Sequence, residues 1–161
     1  MESMEARYSL NEVRIRLAEG DVLYNTSPIQ TSEDAVEMLK QLMVDADREY
    51  LYVVNLDTKG CPINYSLVAA GTVNAAAFRT ADIFKSAILS NASSIVMLHN
   101  HPSGDPTPSD IDMAMTEQLV EAGKLLGIHL LDHVIIGGMN GSMYSFDRDR
   151  QRKPRRGVHG S

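Results

Sequence analysis

Two histidines and an aspartate have a spacing that could bind one metal ion. His99 and His101 stand two residues apart, where the apolar run at 94–98 (SIVML) gives way to a loop. In an extended chain, residues two apart point to the same side, so the two imidazoles would converge. Asp112 follows in the first turn of the helix that Ser109 is predicted to cap, and the Pro-rich loop before it can fold back on the strand end.

The three predicted ligands, two neutral imidazoles and one carboxylate, suit Zn²⁺ and leave a fourth position for water, as in catalytic zinc sites. Zinc lowers the pKa of such a water to about 7, which makes hydroxide available at neutral pH. A carboxylate within hydrogen-bond reach would take the proton of the water and pass it to a leaving amine. The spacing therefore predicts one Zn²⁺ per chain.

Each of these residues also has a purely structural interpretation. A histidine pair at a strand end is often only part of a polar loop. Ser109 and Asp112 are equally typical of a helix start, where a hydroxyl caps the helix and the dipole favours a carboxylate. It is the combined spacing, His-x-His-x7-Ser-x2-Asp, that favours a metal site.

Two other classes of metal enzyme are disfavoured. A non-haem iron oxygenase also uses two histidines and a carboxylate, but we find no machinery for a redox cosubstrate in the sequence. A nucleobase deaminase needs a His-x-Glu and a Cys-x2-Cys. Cys61 is the only cysteine among 161 residues, which excludes that site, any zinc site of several thiolates and an internal disulfide.

The hydrophobic pattern predicts the elements that position these residues. Val13, Ile15 and Leu17 alternate with polar residues, which predicts a first strand with one buried face. Apolar residues at helical spacing, β-rich runs and turn residues extend the predicted order to β-α-β-β-α-β-α-β-β, a mixed α/β layer structure. The predicted elements are a strand at 11–18, a helix at 31–43, a hairpin from about Glu49 around the turn 57–60, a helix at 80–92, a strand at 94–98, a helix at 110–127, a strand at 128–138 and an edge strand at 141–146.

Length and composition predict one domain at 1–146, followed by a basic, disordered tail at 147–161. Apolar residues make up 43% of the chain and charged residues 22%, as in average globular proteins. No window approaches the roughly 18 apolar residues of a membrane span, and the first ten residues lack the pattern of a signal peptide, so the expected location is the cytoplasm.

The charge distribution bears on partners. The net charge is −6, but the tail holds six Lys/Arg against two Asp, which leaves −10 on the remainder. An acidic body is a poor general surface for nucleic acid, although the tail could contact one. An alternative function is therefore a DNA-associated accessory protein whose metal site is structural or vestigial. The sequence does not indicate an oligomeric state.

The segment from His99 to Asp112, HNHPSGDPTPSDID, resembles the full metal signature of the JAMM/MPN+ metalloproteases, in the form carried by bacterial RadC-type proteins. The similarity covers about residues 30–146. It implies a three-layer α/β/α fold with a mixed sheet, cytidine-deaminase-like, as in JAB/MPN domains. It also implies that His99, His101 and Asp112 bind zinc, and that the enzyme hydrolyses an amide or isopeptide bond in a protein or peptide. Further segments that resemble this family are 56–59, 71–74, 120–128 and 131–137.

The resemblance assigns roles to further residues. The position of the family's general base is occupied by Glu49, which would otherwise be interpreted as an exposed charge at a strand start. Ser109 is implied to stabilise the oxyanion of the tetrahedral intermediate. Of Asp132 and His133, only one can face the site, and we interpret His133 as a core histidine, with an orienting role towards a ligand as the alternative.

One departure from the family pattern concerns the region before the metal domain. RadC-type proteins usually carry a helix-hairpin-helix module there. The 48 residues before Glu49 leave no room for it beside the strand and helix predicted in them, which weakens any DNA-repair role suggested by the resemblance.

Overall fold

A computed structural model describes residues 10–24, 26–71, 79–138 and 141–152. In these ranges five strands and four helices follow one another along the chain. Their bounds are α1 (Ser32–Lys40), β1 (Tyr50–Leu56), β2 (Pro62–Ala70), α2 (Thr80–Leu89), β3 (Ser94–Asn100), α3 (Asp110–Leu126), β4 (His129–Ile136), β5 (Met143–Ser145) and α4 (Phe146–Arg152).

The strands form one mixed sheet in the order β2-β1-β3-β4-β5. β1 is antiparallel to both β2 and β3, β3 is parallel to β4, and β4 is antiparallel to β5. Parallel neighbours need a crossover connection, which α3 provides between β3 and β4. Because the chain must return from the end of β3 to the start of β4, the first turn of α3 lies beside the end of β3.

Helices cover both faces of the sheet and create two apolar cores. Side chains alternate along β3, so Ile95 and Met97 pack with α2 and α3, whereas Val96 and Leu98 pack with α1. All seven residues of β3 are buried, as expected of a central strand covered on both sides. The predicted three-layer α/β/α fold with a mixed sheet is thus confirmed. His99 continues the alternation on the face covered by α3.

Local sequence signals account for the starts of α1 and α3 and for the hairpin between β1 and β2. Thr31 and Ser109 each accept a hydrogen bond from the third helical residue, whose aspartate side chain bonds back to the cap. In the hairpin turn, the carboxylate of Asp57 accepts hydrogen bonds from two later main-chain N–H groups, at 2.8 and 2.9 Å. Gly60 has a positive φ of 80°, which favours glycine. The predicted cap at Ser109 and the predicted hairpin are confirmed.

The predicted strand at 11–18 is wrong. Residues 10–24 contain no helix or strand, and Val13, Ile15 and Leu17 are 81%, 71% and 51% exposed. Period-two alternation makes a segment compatible with a strand, but a strand forms only when a neighbour supplies its hydrogen bonds and covers its apolar side. In the described sheet, β2 and β5 are the edge strands, and neither pairs with this segment.

The start of the predicted tail is helical. α4 begins at Phe146, which is buried and which was expected to belong to the edge strand. Acidic residues lie in its first turn and basic residues in its last, an arrangement that complements the helix dipole. The prediction of a disordered tail is therefore wrong for 147–152, and 153–161 lie outside the described residues. Within the described ranges, no helix combines the length and apolarity needed to cross a membrane.

Candidate metal centre

The end of β3 and the start of β1 bring together three side chains of the types that can bind a metal ion. β1 and β3 are antiparallel, with Leu51 opposite His99, so Glu49 comes next to the histidines. Glu49 Oε2 lies 3.7 Å from Nε2 of His99, and the centroids of the His99 and His101 rings are 4.8 Å apart. One ligand atom from each of the three residues lies within 4.8 Å of the others, so this group could hold a metal ion.

The first turn of α3 places Asp112 against the same histidines. Its Oδ1 lies 3.4 Å from Nδ1 of His99 and its Oδ2 lies 3.3 Å from Nε2 of His101. The carboxylate is only 4% exposed and accepts a hydrogen bond of 2.8 Å from the main-chain N–H of Ser109. The structure thus brings Glu49, His99, His101 and Asp112 into one cluster, with Ser109 at its edge.

The buried ring nitrogens of the cluster fit a metal ion. The side chain of His99 is 2% exposed, yet neither of its ring nitrogens has a hydrogen-bond partner, which is costly for buried polar atoms. Nδ1 of His101 lies 2.9 Å from the carbonyl oxygen of Asp105 and must donate to it. Its Nε2 therefore faces Asp112 with a lone pair unless a proton or a metal ion lies between them. A histidine that binds a metal typically donates its other N–H in this way.

Burial and hydrogen bonding set the charge states of the cluster. Burial lowers the pKa of His99, although the carboxylates of Asp112 and Glu49 oppose this. The hydrogen bond with Asp112 raises the pKa of His101. Burial also opposes ionisation of Asp112, but hydrogen bonds from His101 and Ser109 outweigh it and hold the pKa of Asp112 well below its usual range. Neutral His99 and ionised Asp112 are the forms that bind metals.

The hydroxyl group of Ser109 can both accept and donate a hydrogen bond. Its Oγ accepts a hydrogen bond of 3.1 Å from the main-chain N–H of Asp112, which caps α3. Accepting uses a lone pair of the hydroxyl and leaves its proton available for donation. Ser109 is exposed, so this proton can be donated to a molecule that approaches from solvent.

His133 lies directly behind His99. It is fully buried, and its ring stacks between those of His99, at 5.9 Å, and Phe146, at 4.7 Å. Thr116 Oγ1 donates its proton to the carbonyl oxygen of Asp112 at 2.6 Å, so the hydroxyl oxygen of Thr116 accepts a hydrogen bond from Nδ1 of His133 at 2.7 Å. Burial lowers the pKa of His133 to about 3, so its ring is neutral.

Asp132 faces away from this arrangement. Its carboxylate accepts hydrogen bonds from Ser145 Oγ at 2.6 Å and from the main-chain N–H of Asp147 at 3.0 Å, where β5 passes into α4. Burial raises the pKa of Asp132, although these hydrogen bonds oppose the shift. The alternation of β4 allowed only one of the two residues to face the site, and that residue is His133.

A cleft of about 350 Å³ opens beside the cluster, lined by Asp47, Arg48, Glu49, Gly71 and Pro102. The carboxylate of Glu49 is 27% exposed, compared with 4% for Asp112. Glu49 therefore contacts both the histidines and the space from which a substrate would approach, whereas Asp112 is enclosed.

The interpretation of the sequence missed Asn100 and Thr116. Asn100 is 1% exposed, and its side chain accepts a hydrogen bond from the main-chain N–H of Tyr50 at 2.6 Å and donates one to the carbonyl of Arg48 at 2.9 Å. Asn100 could have been noticed in the sequence, because it is a polar residue that continues an apolar strand expected to be buried on both faces. A buried amide at such a position needs hydrogen-bond partners.

Comparison with known proteins identifies the family. The model of the RadC-like JAB domain matches residues 29–152. The chain belongs to this family. The match includes every residue of the cluster, and the RadC-type resemblance of the metal signature is thereby confirmed.

Curated relatives of this RadC-like JAB domain include three called UPF0758 protein. The relative from Roseiflexus castenholzii is 42% identical over 124 residues, which cover 77% of this chain and 52% of the relative. The relative from Caldanaerobacter subterraneus is 40% identical over 138 residues, which cover 86% of this chain and 58% of the relative. The relative from Methanococcoides burtonii is 43% identical over 109 residues, which cover 68% of this chain and 48% of the relative. The chain thus spans about half the length of these relatives.

Proposed function

We propose that this RadC-like JAB domain is a zinc-dependent hydrolase that cleaves an amide or isopeptide bond in a protein or peptide. The proposal rests on the surroundings of His99. Its imidazole is buried between the carboxylates of Glu49 and Asp112, and neither ring nitrogen has a hydrogen-bond partner. A cation bound to one of these nitrogens would use its lone pair, the other nitrogen would carry the proton of the neutral ring, and the charge of the cation would balance the two carboxylates.

His99, His101 and Asp112 would hold the zinc ion, and Glu49 would act as the general base. Burial separates the roles, because Asp112 is enclosed and fixed by Ser109, whereas Glu49 lines the cleft. When bound, the zinc ion would lower the pKa of a water to about 7 and polarise the carbonyl of the substrate.

The side chains then account for the proton transfers of hydrolysis. Glu49 accepts one proton from the attacking water as the new C–O bond forms, and returns it to the nitrogen as the C–N bond breaks. The hydroxyl of Ser109 donates a hydrogen bond to the oxygen that becomes negatively charged. One water is consumed, and the products are a carboxylic acid and an amine.

Metal removal tests the proposed function. The purified chain should contain about one zinc ion and should hydrolyse members of a peptide and isopeptide library. A chelator should abolish this activity, and stoichiometric Zn²⁺ should restore it. Activity that persists after complete removal of the metal, or a zinc-loaded chain that cleaves no member of the library, would exclude the proposed function.

Replacing Ser109 by alanine should lower kcat by about 10²- to 10³-fold, the effect of removing one oxyanion donor. The main-chain N–H that holds Asp112 is retained, so the zinc content should not change. Thr31→Ala is the matched control, because Thr31 caps α1 in the same way. Each variant should lose about 1 kcal/mol of stability. Equal activities of the two variants would show that Ser109 only caps α3.

We further propose that His133 orients His99 from behind. Thr116→Val keeps the volume but removes the oxygen that bonds His133. Because groups that orient a metal ligand typically contribute about 10- to 100-fold to affinity, zinc should bind more weakly by about that factor in a competition titration. Thr80→Val, which removes an exposed hydrogen bond to Gln118, is the control. Unchanged zinc affinity of Thr116→Val would show that His133 is only a core residue.

A further inference from the structure

The main-chain ladder between β1 and β3 ends just before the catalytic glutamate. The last pair is Leu51 opposite His99. Beyond it, the chain after β3 turns towards β4, where the N–H of His101 donates to the carbonyl of Ile136 at 2.9 Å.

The side chain of Asn100 bonds the main chain beyond this last pair. Its Oδ1 accepts from the N–H of Tyr50 and its Nδ2 donates to the carbonyl of Arg48, so the amide bonds the main chain on both sides of Glu49. We call this pair of hydrogen bonds the Asn100 bridge. On the opposite side, the N–H of Gly71 donates to the carbonyl of Glu49 at 2.8 Å. The main chain at Glu49 is therefore held from both edges.

The Asn100 bridge connects the two parts of the site. Asn100 lies between His99 and His101 in the chain, so a shift of Asn100 would also move the histidines. Its amide has one acceptor and one donor group, both of which are used here, and an apolar or shorter side chain would make neither bond. These two bonds link the main chain on both sides of Glu49 to the strand that carries His99.

We propose that Asn100 is a positioning residue that holds the carboxylate of Glu49 at the distance needed for proton transfer. This inference rests on the proposed function. A displacement of about 1 Å in a catalytic group can lower the rate by about 10²-fold. Asn100→Ala should therefore lower kcat by about 100-fold, with KM changed by less than about threefold and the zinc content retained.

A matched control and a double variant separate positioning from stability. Asn55→Ala also removes a buried asparagine with two side-chain hydrogen bonds, but at the opposite end of β1. Its kcat should stay within about threefold of the wild type. In the Glu49→Gln background, Asn100→Ala should lower kcat by less than about threefold, because the residue it positions is already disabled. Additive effects, or equal losses in Asn55→Ala, would overturn the proposal.

Hydrogen exchange tests the Asn100 bridge without activity. In the metal-free chain, the amide of Tyr50 should exchange at least about tenfold faster in Asn100→Ala than in the wild type or Asn55→Ala. Unchanged exchange would overturn the proposal even in an active enzyme. If the wild type hydrolyses nothing while this exchange changes as expected, the proposed function fails and the bridge itself stands.

A milder variant covers the case in which Asn100→Ala does not fold. Asn100→Asp keeps the volume and the acceptor for Tyr50, and replaces the donor to Arg48 by an oxygen. It should fold and lose about tenfold in kcat, because one of the two bonds remains. Wild-type kcat in this variant would overturn the proposal.

Discussion

Replacing Glu49 by glutamine should lower kcat by about 10²- to 10⁴-fold while the chain still binds about one zinc ion. Glutamine has the shape of glutamate but cannot accept a proton from the attacking water. Because the proposed ligands are His99, His101 and Asp112, removing the charge of Glu49 leaves all three in place. Steady-state kinetics and metal analysis of the same preparation measure both parts of the prediction.

The control for this substitution is Glu121→Gln, an exposed glutamate on α3 that pairs with Lys124. It should have wild-type kinetics. Two results would contradict the assignment of Glu49. Full activity of Glu49→Gln would show that another group accepts the proton, and loss of zinc would show that Glu49 is itself a ligand, as its place beside His99 and His101 permits.

Replacing Asp112 by alanine should weaken zinc binding by more than about 100-fold, beyond the effect of losing a group that only orients a ligand. The carboxylate faces both histidines, at 3.4 and 3.3 Å, and its removal leaves only the two imidazoles of the proposed ligand set. Activity at limiting zinc should disappear with the metal. Competition with a chelator of known affinity measures the change.

Asp112 also belongs to a capping box, so its variant needs a control for helix stability. Asp34 has the same position in α1, where it accepts hydrogen bonds from the N–H groups of Gln30 and Thr31, both at 3.0 Å. Asp34→Ala should therefore lose comparable stability without any loss of zinc. Zinc affinity within about threefold of the wild type in Asp112→Ala would show that the metal is held by Glu49, His99 and His101 instead.

Much of the cluster could be predicted because its signals are local. His99 lies near the end of β3 and His101 directly follows the strand, so their rings come within 4.8 Å, and Ser109 caps a helix through a pattern of four residues. The hairpin turn at 57–60 is likewise indicated by two residues within it, Asp57, whose carboxylate bonds the turn, and Gly60, which has a positive φ. The proximity of Glu49 to the histidines is not local, and it was inferred from the family resemblance rather than from spacing.

The parts that the sequence did not predict depend on tertiary partners. Residues 11–18 have the alternation of a strand but no pairing in the described sheet. Asn100 and Thr116 make hydrogen bonds with groups far away in the chain, namely the main chain around Glu49 and the ring of His133. Periodicity reports which face of an element is apolar, but it does not report which polar groups meet across elements.

The most direct test of the central claim is an anomalous difference map, measured at the zinc absorption edge on crystals grown with Zn²⁺. We predict one peak at about 2.0–2.2 Å from a ring nitrogen of His99, a ring nitrogen of His101 and a carboxylate oxygen of Asp112, with Glu49 outside bonding distance and facing the cleft. A peak bound by Glu49 in place of Asp112, or no peak at this cluster at saturating zinc, would contradict the account.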